Sequence, residues 1–303
     1  MRDNGTVLLA GATGYLGGFI TKELIVRSIP AELIVRNVEK GADLASENVK
    51  VIQAEVTRAE TLKGLFENVS VVISIVGITR QKDGLSYMDV DYQANINLLE
   101  EAKKAGIKKF IYVSVINGPL HRNLKMLEAK EAFVDALKHS GLEYTVIRPN
   151  GFFSDMRDFL KMAEKGRVYL FGNGSQKINP VHGKDLAVVC VDAIEGGETE
   201  IAVGGPDILT HNEIGQMALL ACGKPINIIH LPHWVRKLTL WAVRTFTSPR
   251  TYGPIEFFLT FMADDAIAPR YGGQRLSLFF QKEMDVIRKE RMRELKHDFR
   301  SIF

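Results

Sequence analysis

Cysteine is almost missing from this chain: Cys190 and Cys222 are the only two in 303 residues. Their neighbours, AVVCVDAI and LLACGKP, read as apolar helix faces and not as ligand spacings. Two buried structural thiols are expected, with no disulfide and no metal site. Long apolar runs are also absent. No segment approaches the ~18–20 uninterrupted apolar residues of a membrane span. The opening MRDNGTVLLAG has no apolar stretch of signal-peptide length before glycines interrupt it, so a cytoplasmic protein is expected. Net charge is small, and +3 does not argue for nucleic acid, so no nucleic-acid partner is expected. Locally, one sign of charge disappears. Between Glu213 and Glu256 there is no acid, while Lys224, Arg236, Lys237, Arg244 and Arg250 fall in the gap. The remaining composition, 46% hydrophobic and 25% charged, suffices for a full core in one large domain or two smaller ones.

Short β-branched runs alternate with helical periods through the first half. Strands are predicted at TVLLA (6–10), AELIVR (31–36), VKVIQA (49–54), VSVVISIV (69–76), KKFIYVSV (108–115) and LEYTVIRP (142–149). Between them, Leu16, Ile20 and Leu24, and later Tyr92, Ile96 and Leu99, recur at helical spacing. Thr57 with Glu60 reads as a capping box that starts a helix after the third strand. Strands that are nearly continuous apolar runs belong in a parallel sheet covered on both faces. The expected class is therefore α/β, a Rossmann-type doubly wound parallel sheet. After Pro149 the pattern loosens, and KGRVYLFGNGSQKINPVHGKDLA predicts a loop or short hairpin. A helix (185–195), a late strand in TEIAVGGPD, a helix capped by Thr210 and Glu213 and closed by Gly223, and a strand in INIIHLP follow. The domain expectation is a nucleotide-binding unit over 1–225 and a smaller, mainly helical substrate or cap region over 226–303.

The glycines are where the chemistry starts. Gly11, Gly14 and Gly17 follow the first strand directly and open a helix, in VLLAGATGYLGG. That placement suits a dinucleotide: a tight turn, close backbone approach to a pyrophosphate, and helix-terminal N–H groups aimed at it. Thr13, Tyr15 and Leu16 belong to the same turn. At the tip of the second strand, where NAD sites carry an acid, this chain has Arg36 and Asn37, with Lys40 close behind. A cation there suits the additional 2′-phosphate, so NADP(H) is the expected cofactor.

GATGYLGG, the LIVRN strand end, VVISIVG, FIYVSVING, YTVIRPNGFF and GGPDILTHNEIGQMALLACGKP together resemble the atypical branch of the short-chain dehydrogenase/reductase superfamily. That branch includes NmrA-like regulators, isoflavone-reductase-like enzymes and relatives of a complex I accessory subunit. The resemblance covers most of residues 5–225. It implies that Glu55 and Val56 lie near the adenine, that Val76 and Gly77 line the cofactor, and that Ser114 and Pro149 border the nicotinamide end. Well-known members use a Tyr-x-x-x-Lys pair. Here Lys130 is present, but Met126 stands in the tyrosine position, and Ile116 or Asn117 falls where a polarising serine would be.

Met126, Lys130, Phe133 and Leu137 share one helical face, so Lys130 either snorkels to water or points at a bound polar group. It is the candidate catalytic residue. It would hold the cofactor ribose or, with a pKa lowered by desolvation, relay the proton; isoflavone-reductase-like enzymes likewise lack the tyrosine and use a lysine. Asn117, His121, Asn150 and His182 are weaker polar candidates, and Asp185 reads as a helix N-terminal charge.

Residues 231–263 combine the acid-free gap with Trp234, Leu238, Trp241 and the FFLTFM run. They form an apolar pocket wall, a peripheral membrane contact or a protein interface. The tail QKEMDVIRKERMRELKHDF reads as a solvated helix. Two functions are expected to compete. One is an NADPH-dependent reductase of an apolar or aromatic small molecule. The other is a non-catalytic NADP(H)-binding sensor, regulator or assembly factor.

Overall fold

The computed structural model describes residues 5–78 and 84–301, with side-chain surroundings as far as Glu294. In chain order the first half runs β1 (Thr6–Ala10), α1 (Tyr15–Val26), β2 (Ala31–Val35), α2 (Val38–Gly41), β3 (Val49–Gln53), β4 (Val69–Ser74), α3 (Ala94–Lys104), β5 (Lys109–Val113), α4 (Lys125–Lys138) and β6 (Glu143–Pro149). The second half adds α5 (Arg157–Glu164), β7 (Val168–Phe171), β8 (Lys177–Ile178), α6 (Gly183–Asp192), β9 (Glu200–Val203), β10 (Leu209–Thr210), α7 (His211–Ala221), β11 (Ile228–Leu231), α8 (His233–Phe246), α9 (Pro249–Phe261) and α10 (Leu276–Ser301).

Seven strands form one sheet in the order β3-β2-β1-β4-β5-β6-β9. Every pairing is parallel. A strand buried on both faces needs apolar residues at consecutive positions, and β5 is buried at all five of its residues. α1 and α6 cover one face, where Leu16, Ile20, Leu24, Leu186 and Cys190 pack. α3 and α4 cover the other with Leu98, Leu99, Phe133 and Leu137. The chain's winding reverses between β1 and β4, which opens a crevice beyond their C-terminal ends. Ala10 is paired with Ser74, so Gly11 and Ile75 leave the sheet side by side. This is the expected doubly wound Rossmann fold. A third core gathers Phe159, Leu160, Val168, Leu219 and Phe280 from both sides of residue 225.

Several local expectations are corrected. Thr57 and Glu60 do not cap a helix. Residues Ala59–Leu62 form one 3₁₀ turn after Arg58, with no side-chain cap. The Thr61 hydroxyl donates to the carbonyls of Glu55 and Arg58 and accepts from the Glu55 N–H. Such local side-chain bonds compete with helix formation. The Thr210–Glu213 box, by contrast, is complete in both directions. β7 and β8 are not partners in a hairpin: β7 pairs with β11 and β8 with β10, because each finds its ladder elsewhere in the chain. Cys190 is buried and Cys222 half-buried; both are free thiols. The tail helix also starts earlier than expected. Leu276, Phe280 and Met284 are core residues, and Arg157 clamps Glu283 through two hydrogen bonds at 2.7 and 2.8 Å. The side chains of the tail from Leu295 onward lie outside the described residues. Among the described residues, no helix is long and apolar enough to cross a membrane.

Candidate cofactor and active site

At the mouth of the crevice the glycines are required by space. Gly11 sits at φ +99°, a backbone that favours glycine, and a Cβ there would meet Ile75 Cγ1 at 2.7 Å. A Cβ on Gly17 would strike the Gly11 carbonyl and lie 2.6 Å from that of Ala12. Helix α1 begins at Gly14 with no side-chain cap and no acid in its first turn. Its first-turn N–H groups therefore remain donors for an external anion, and the helix dipole favours one there. Thr13 and Gly14 are exposed beside them, while Leu16 anchors the turn in the core. This cradle fits a pyrophosphate. The Tyr15 side chain turns elsewhere: its hydroxyl accepts from the Gly183 N–H at 3.1 Å and its ring lies edge-on to Phe19, so only its backbone belongs to the cradle.

Arg36 follows β2 with a side chain 66% exposed, its Nε 4.0 Å from a Glu55 carboxylate oxygen. The other Glu55 oxygen accepts from the Thr57 hydroxyl at 3.0 Å. The Asn37 side-chain oxygen Oδ1 accepts from the Glu39 N–H at 2.8 Å, capping α2, and Lys40 is exposed. The Val56 carbonyl accepts from Asn97 at 3.0 Å, tying the β3 end to α3.

Lys130 neither snorkels nor stands alone. Its ammonium is 2.8 Å from Asp91, whose side chain is fully buried, while the lysine side chain keeps 14% exposure. The Ile78 N–H donates to the other Asp91 oxygen at 3.2 Å. Gly77 runs directly over this pair, and a Cβ there would lie 2.6 Å from Asp91 Oδ1 and 2.7 Å from Lys130 Nζ. Burial works against the ammonium, but the Asp91 carboxylate and the Tyr112 phenol outweigh it and hold the lysine pKa above its ordinary value. The lowered pKa expected from desolvation alone is thus corrected: the partner reverses the sign. The ammonium also lies 5.6 Å from the Tyr112 ring centre, and burial pushes that phenol up to about 12.

Asp91 was missed in the sequence, although a signal existed. Asp91, Asn95, Leu98 and Ala102 follow at i, i+4, i+7 and i+11 and are all buried, so two polar residues interrupt an apolar stripe. Asn95 explains its own place by accepting from the Ser74 hydroxyl at 2.5 Å and donating to the Asp91 carbonyl at 2.9 Å. The chain between Ser74 and Gly77 is thereby fixed to α3. Val76 is buried there, its N–H donating to Ser74 Oγ at 3.3 Å.

Ser114 points into the protein and is held below the expected nicotinamide end. Its hydroxyl donates to Glu131 at 2.9 Å, and Arg148 grips both Glu131 oxygens at 2.6 and 2.9 Å. Pro149 ends β6 in the buried interior beside this pair. The weaker polar candidates all carry structural contacts. His121 stacks near Phe261, and Asn117 makes a left-handed turn at φ +55°. The Asn150 amide donates to Asn179 and to the Ala266 carbonyl. His182 caps α6 by accepting from the Lys184 N–H at 3.0 Å, and burial lowers its pKa, which suits the neutral ring that an accepting Nδ1 requires. Asp185 does more than face a dipole: it accepts from the N–H groups of Gly273 and Gln274 and pins the chain entering α10.

In place of the tyrosine there is an apolar wall. Met126, Tyr87 and Ala129 are buried together, with Ile78, Tyr92 and Phe257 against them. Phe257 comes from α9, so α9 forms part of the wall, whereas α8 buries no residue at all. Among the described residues, no group of three or more His, Cys, Asp or Glu is arranged to hold a metal.

A parallel sheet reversing at a glycine-opened, uncapped helix defines a dinucleotide-binding Rossmann protein. The chain belongs to the NAD(P)H-binding family, whose model matches residues 11–196. Its relatives lie in the atypical short-chain dehydrogenase/reductase group. It is 28% identical over 232 residues to the photosystem II assembly factor Ycf39 of Guillardia theta, covering 75% of this chain and 73% of the relative. It is 26% identical over 317 residues to the chloroplastic divinyl chlorophyllide a 8-vinyl-reductase of Oryza sativa subsp. indica, covering 91% and 78%. The fold is shared with an NADPH-dependent quinone oxidoreductase of Escherichia coli solved with NADPH, at TM-score 0.69 and 18% identity over 93% of this chain and 99% of that one. A nucleoside-diphosphate-sugar epimerase of Staphylococcus aureus superposes at TM-score 0.71 with 19% identity, covering 91% and 99%.

Proposed function

We propose that the chain is an NADPH-dependent reductase of an apolar or aromatic small molecule. The buried Lys130–Asp91 pair beneath Gly77 carries this proposal, because an ammonium so fixed at the end of β4 is placed to donate to ribose hydroxyls. The bound dinucleotide would supply the hydride. Gly11, Gly14 and Gly17, with the backbone of Thr13, Tyr15 and Leu16, would hold its pyrophosphate. Arg36, with Lys40 nearby, would pair with the 2′-phosphate, Asn37 would shape that turn, and Glu55 and Val56 would flank the adenine. Val76, Gly77, Ser114 and Pro149 would shape the nicotinamide end, and the wall of Tyr87, Met126 and Phe257 would face the substrate. With its pKa held up by Asp91, Lys130 would orient the ribose as a cation, and the proton that completes the reduction would come from solvent water. The relative named as a divinyl chlorophyllide a 8-vinyl-reductase supports a reductase.

One observation favours the competing function, an NADP(H)-binding assembly factor or sensor. Met126 lies in an apolar cluster where the family's acid would stand, and one relative is an assembly factor. A sugar-nucleotide epimerase is disfavoured, because the resemblance assigns those enzymes the tyrosine replaced by Met126.

The test is a fluorescence titration with NADPH and NADH, on the wild type and on Arg36→Ala. The variant is expected to lose roughly 10- to 100-fold in NADPH affinity, as for one charge-assisted phosphate contact, and nothing in NADH affinity. Equal binding of both dinucleotides would remove the 2′-phosphate assignment. NADPH oxidation in the presence of quinones or enones then separates the two functions. Tight NADPH binding with no turnover on such acceptors favours the sensor.

A further inference from the structure

α8 rests on the protein by one face and turns an aromatic face to solvent. Its inner face lies on α9, where Arg236 donates to the Leu259 carbonyl at 3.3 Å and Arg244 Nε to Glu256 at 2.6 Å. On its outer face Trp234, Leu238 and Trp241 follow at i, i+4 and i+7 and are 63%, 52% and 59% exposed. Phe246, 76% exposed, meets Trp241 edge-on at 6.0 Å. Single exposed apolar residues are ordinary on a protein surface. Here the chain's only two tryptophans stand on one solvent-facing stripe.

Along the sequence, the charge of this segment has one sign. Lys224, Lys237 and Arg250 are exposed, and no acid occurs between Glu213 and Glu256. Glu256 itself is buried and paired with Arg244. A second copy across a two-fold axis would bring these cations against one another, which disfavours self-association. An anionic surface with an apolar interior complements both features. The 14 residues of α8, at about 1.5 Å each, are too short to cross a hydrocarbon core of about 30 Å but suit a helix lying in the interface plane.

We propose that α8 docks the protein on an anionic lipid bilayer, with Trp234, Leu238 and Trp241 at headgroup depth and Lys237, beside them on the same helix, against the lipid phosphates. Tryptophan suits that depth because its ring is apolar and its N–H polar. The docking requires no turnover and stands whether or not the reductase assignment does.

The two tryptophans are also the probe. The full chain is titrated with vesicles of phosphatidylglycerol and phosphatidylcholine while tryptophan emission is recorded, and partition is measured by flotation. Emission is expected to shift to the blue, to be quenched by brominated acyl chains, and to recover as salt is raised. Lys237→Glu should weaken partition by roughly thirtyfold, for one cation lost and one anion gained at the surface. Trp234→Ser with Trp241→Ser should abolish flotation, while far-ultraviolet circular dichroism and NADPH binding stay unchanged. Unshifted emission with anionic vesicles would overturn the proposal, as would equal partition onto pure phosphatidylcholine. A blue shift that follows protein concentration without vesicles would overturn it too, by assigning the face to a second copy.

Discussion

Replacing Asp91 by asparagine tests the centre of the site most directly. At 2.8 Å the Asp91–Lys130 attraction is about 6 kcal/mol for an effective dielectric of about 20. Most of that offsets the desolvation of two charges. Removing one partner of a buried pair costs about 3–5 kcal/mol, because the other charge is left uncompensated. Lys130 keeps 14% side-chain exposure, so part of its hydration survives in the variant. We therefore expect Asp91→Asn to cost about 3 kcal/mol, at the low end of that range. Lys130→Met leaves a buried carboxylate that still accepts from the Ile78 N–H, and should cost a similar amount at neutral pH and less in acid, where Asp91 protonates. The double variant buries two neutral groups and should cost little more than either single change. The coupling energy is then about 2–3 kcal/mol, read from urea unfolding followed by far-ultraviolet circular dichroism. Coupling below about 0.5 kcal/mol would refute the buried pair and mean that Lys130 faces water in solution.

Other outcomes follow from single contacts. Gly17→Ala should abolish NADPH binding and destabilise the fold, whereas Gly18→Ala, with nothing within 4 Å of its new Cβ, should stabilise it by about 0.5–1 kcal/mol in thermal melts. His211 is buried, neither ring nitrogen has a hydrogen-bond partner among the described residues, and burial pushes its pKa down to about 4. A base with a depressed folded pKa takes its proton more readily when unfolded. It therefore costs nothing above about pH 6.5 and removes about 3 kcal/mol as pH falls to about 4. His211→Phe should flatten that limb relative to wild type in urea midpoints measured across the window; parallel limbs would exclude the histidine. Glu131→Gln leaves the Arg148 guanidinium, 3% exposed, with Glu200 as its remaining carboxylate, and should cost about 3 kcal/mol in stability. A variant as stable as wild type would show that water reaches Arg148.

The sequence by itself determined what depends on a local period. Six apolar runs mark six of the sheet's strands within a residue or two, because the inner strands are buried on both faces and must be largely apolar, while β3 at the edge exposes Lys50 and Gln53. The three glycines mark the crevice, because Gly17 has no room for a methyl group against the turn it follows. Thr210 and Glu213 cap α7 from within one turn of chain. The tertiary structure decided everything that rests on a distant partner. Lys130 reads in the sequence as a lysine that snorkels, holds the ribose or relays a proton, and Asp91, from the π-helical segment Met88–Gln93 before α3, pairs with it and holds its pKa up. The resemblance sets Ser114 at the nicotinamide end, and the buried Arg148–Glu131 pair takes its hydroxyl inward. The stretch holding β7 reads as a loop or short hairpin, and only the fold brings it beside β11 as a parallel partner. The aromatic helix α8 could not be told from α9 by composition. Packing buries one aromatic face against α4 and leaves the other in solvent, since which apolar face finds a partner is a property of the assembled layers and not of the helix.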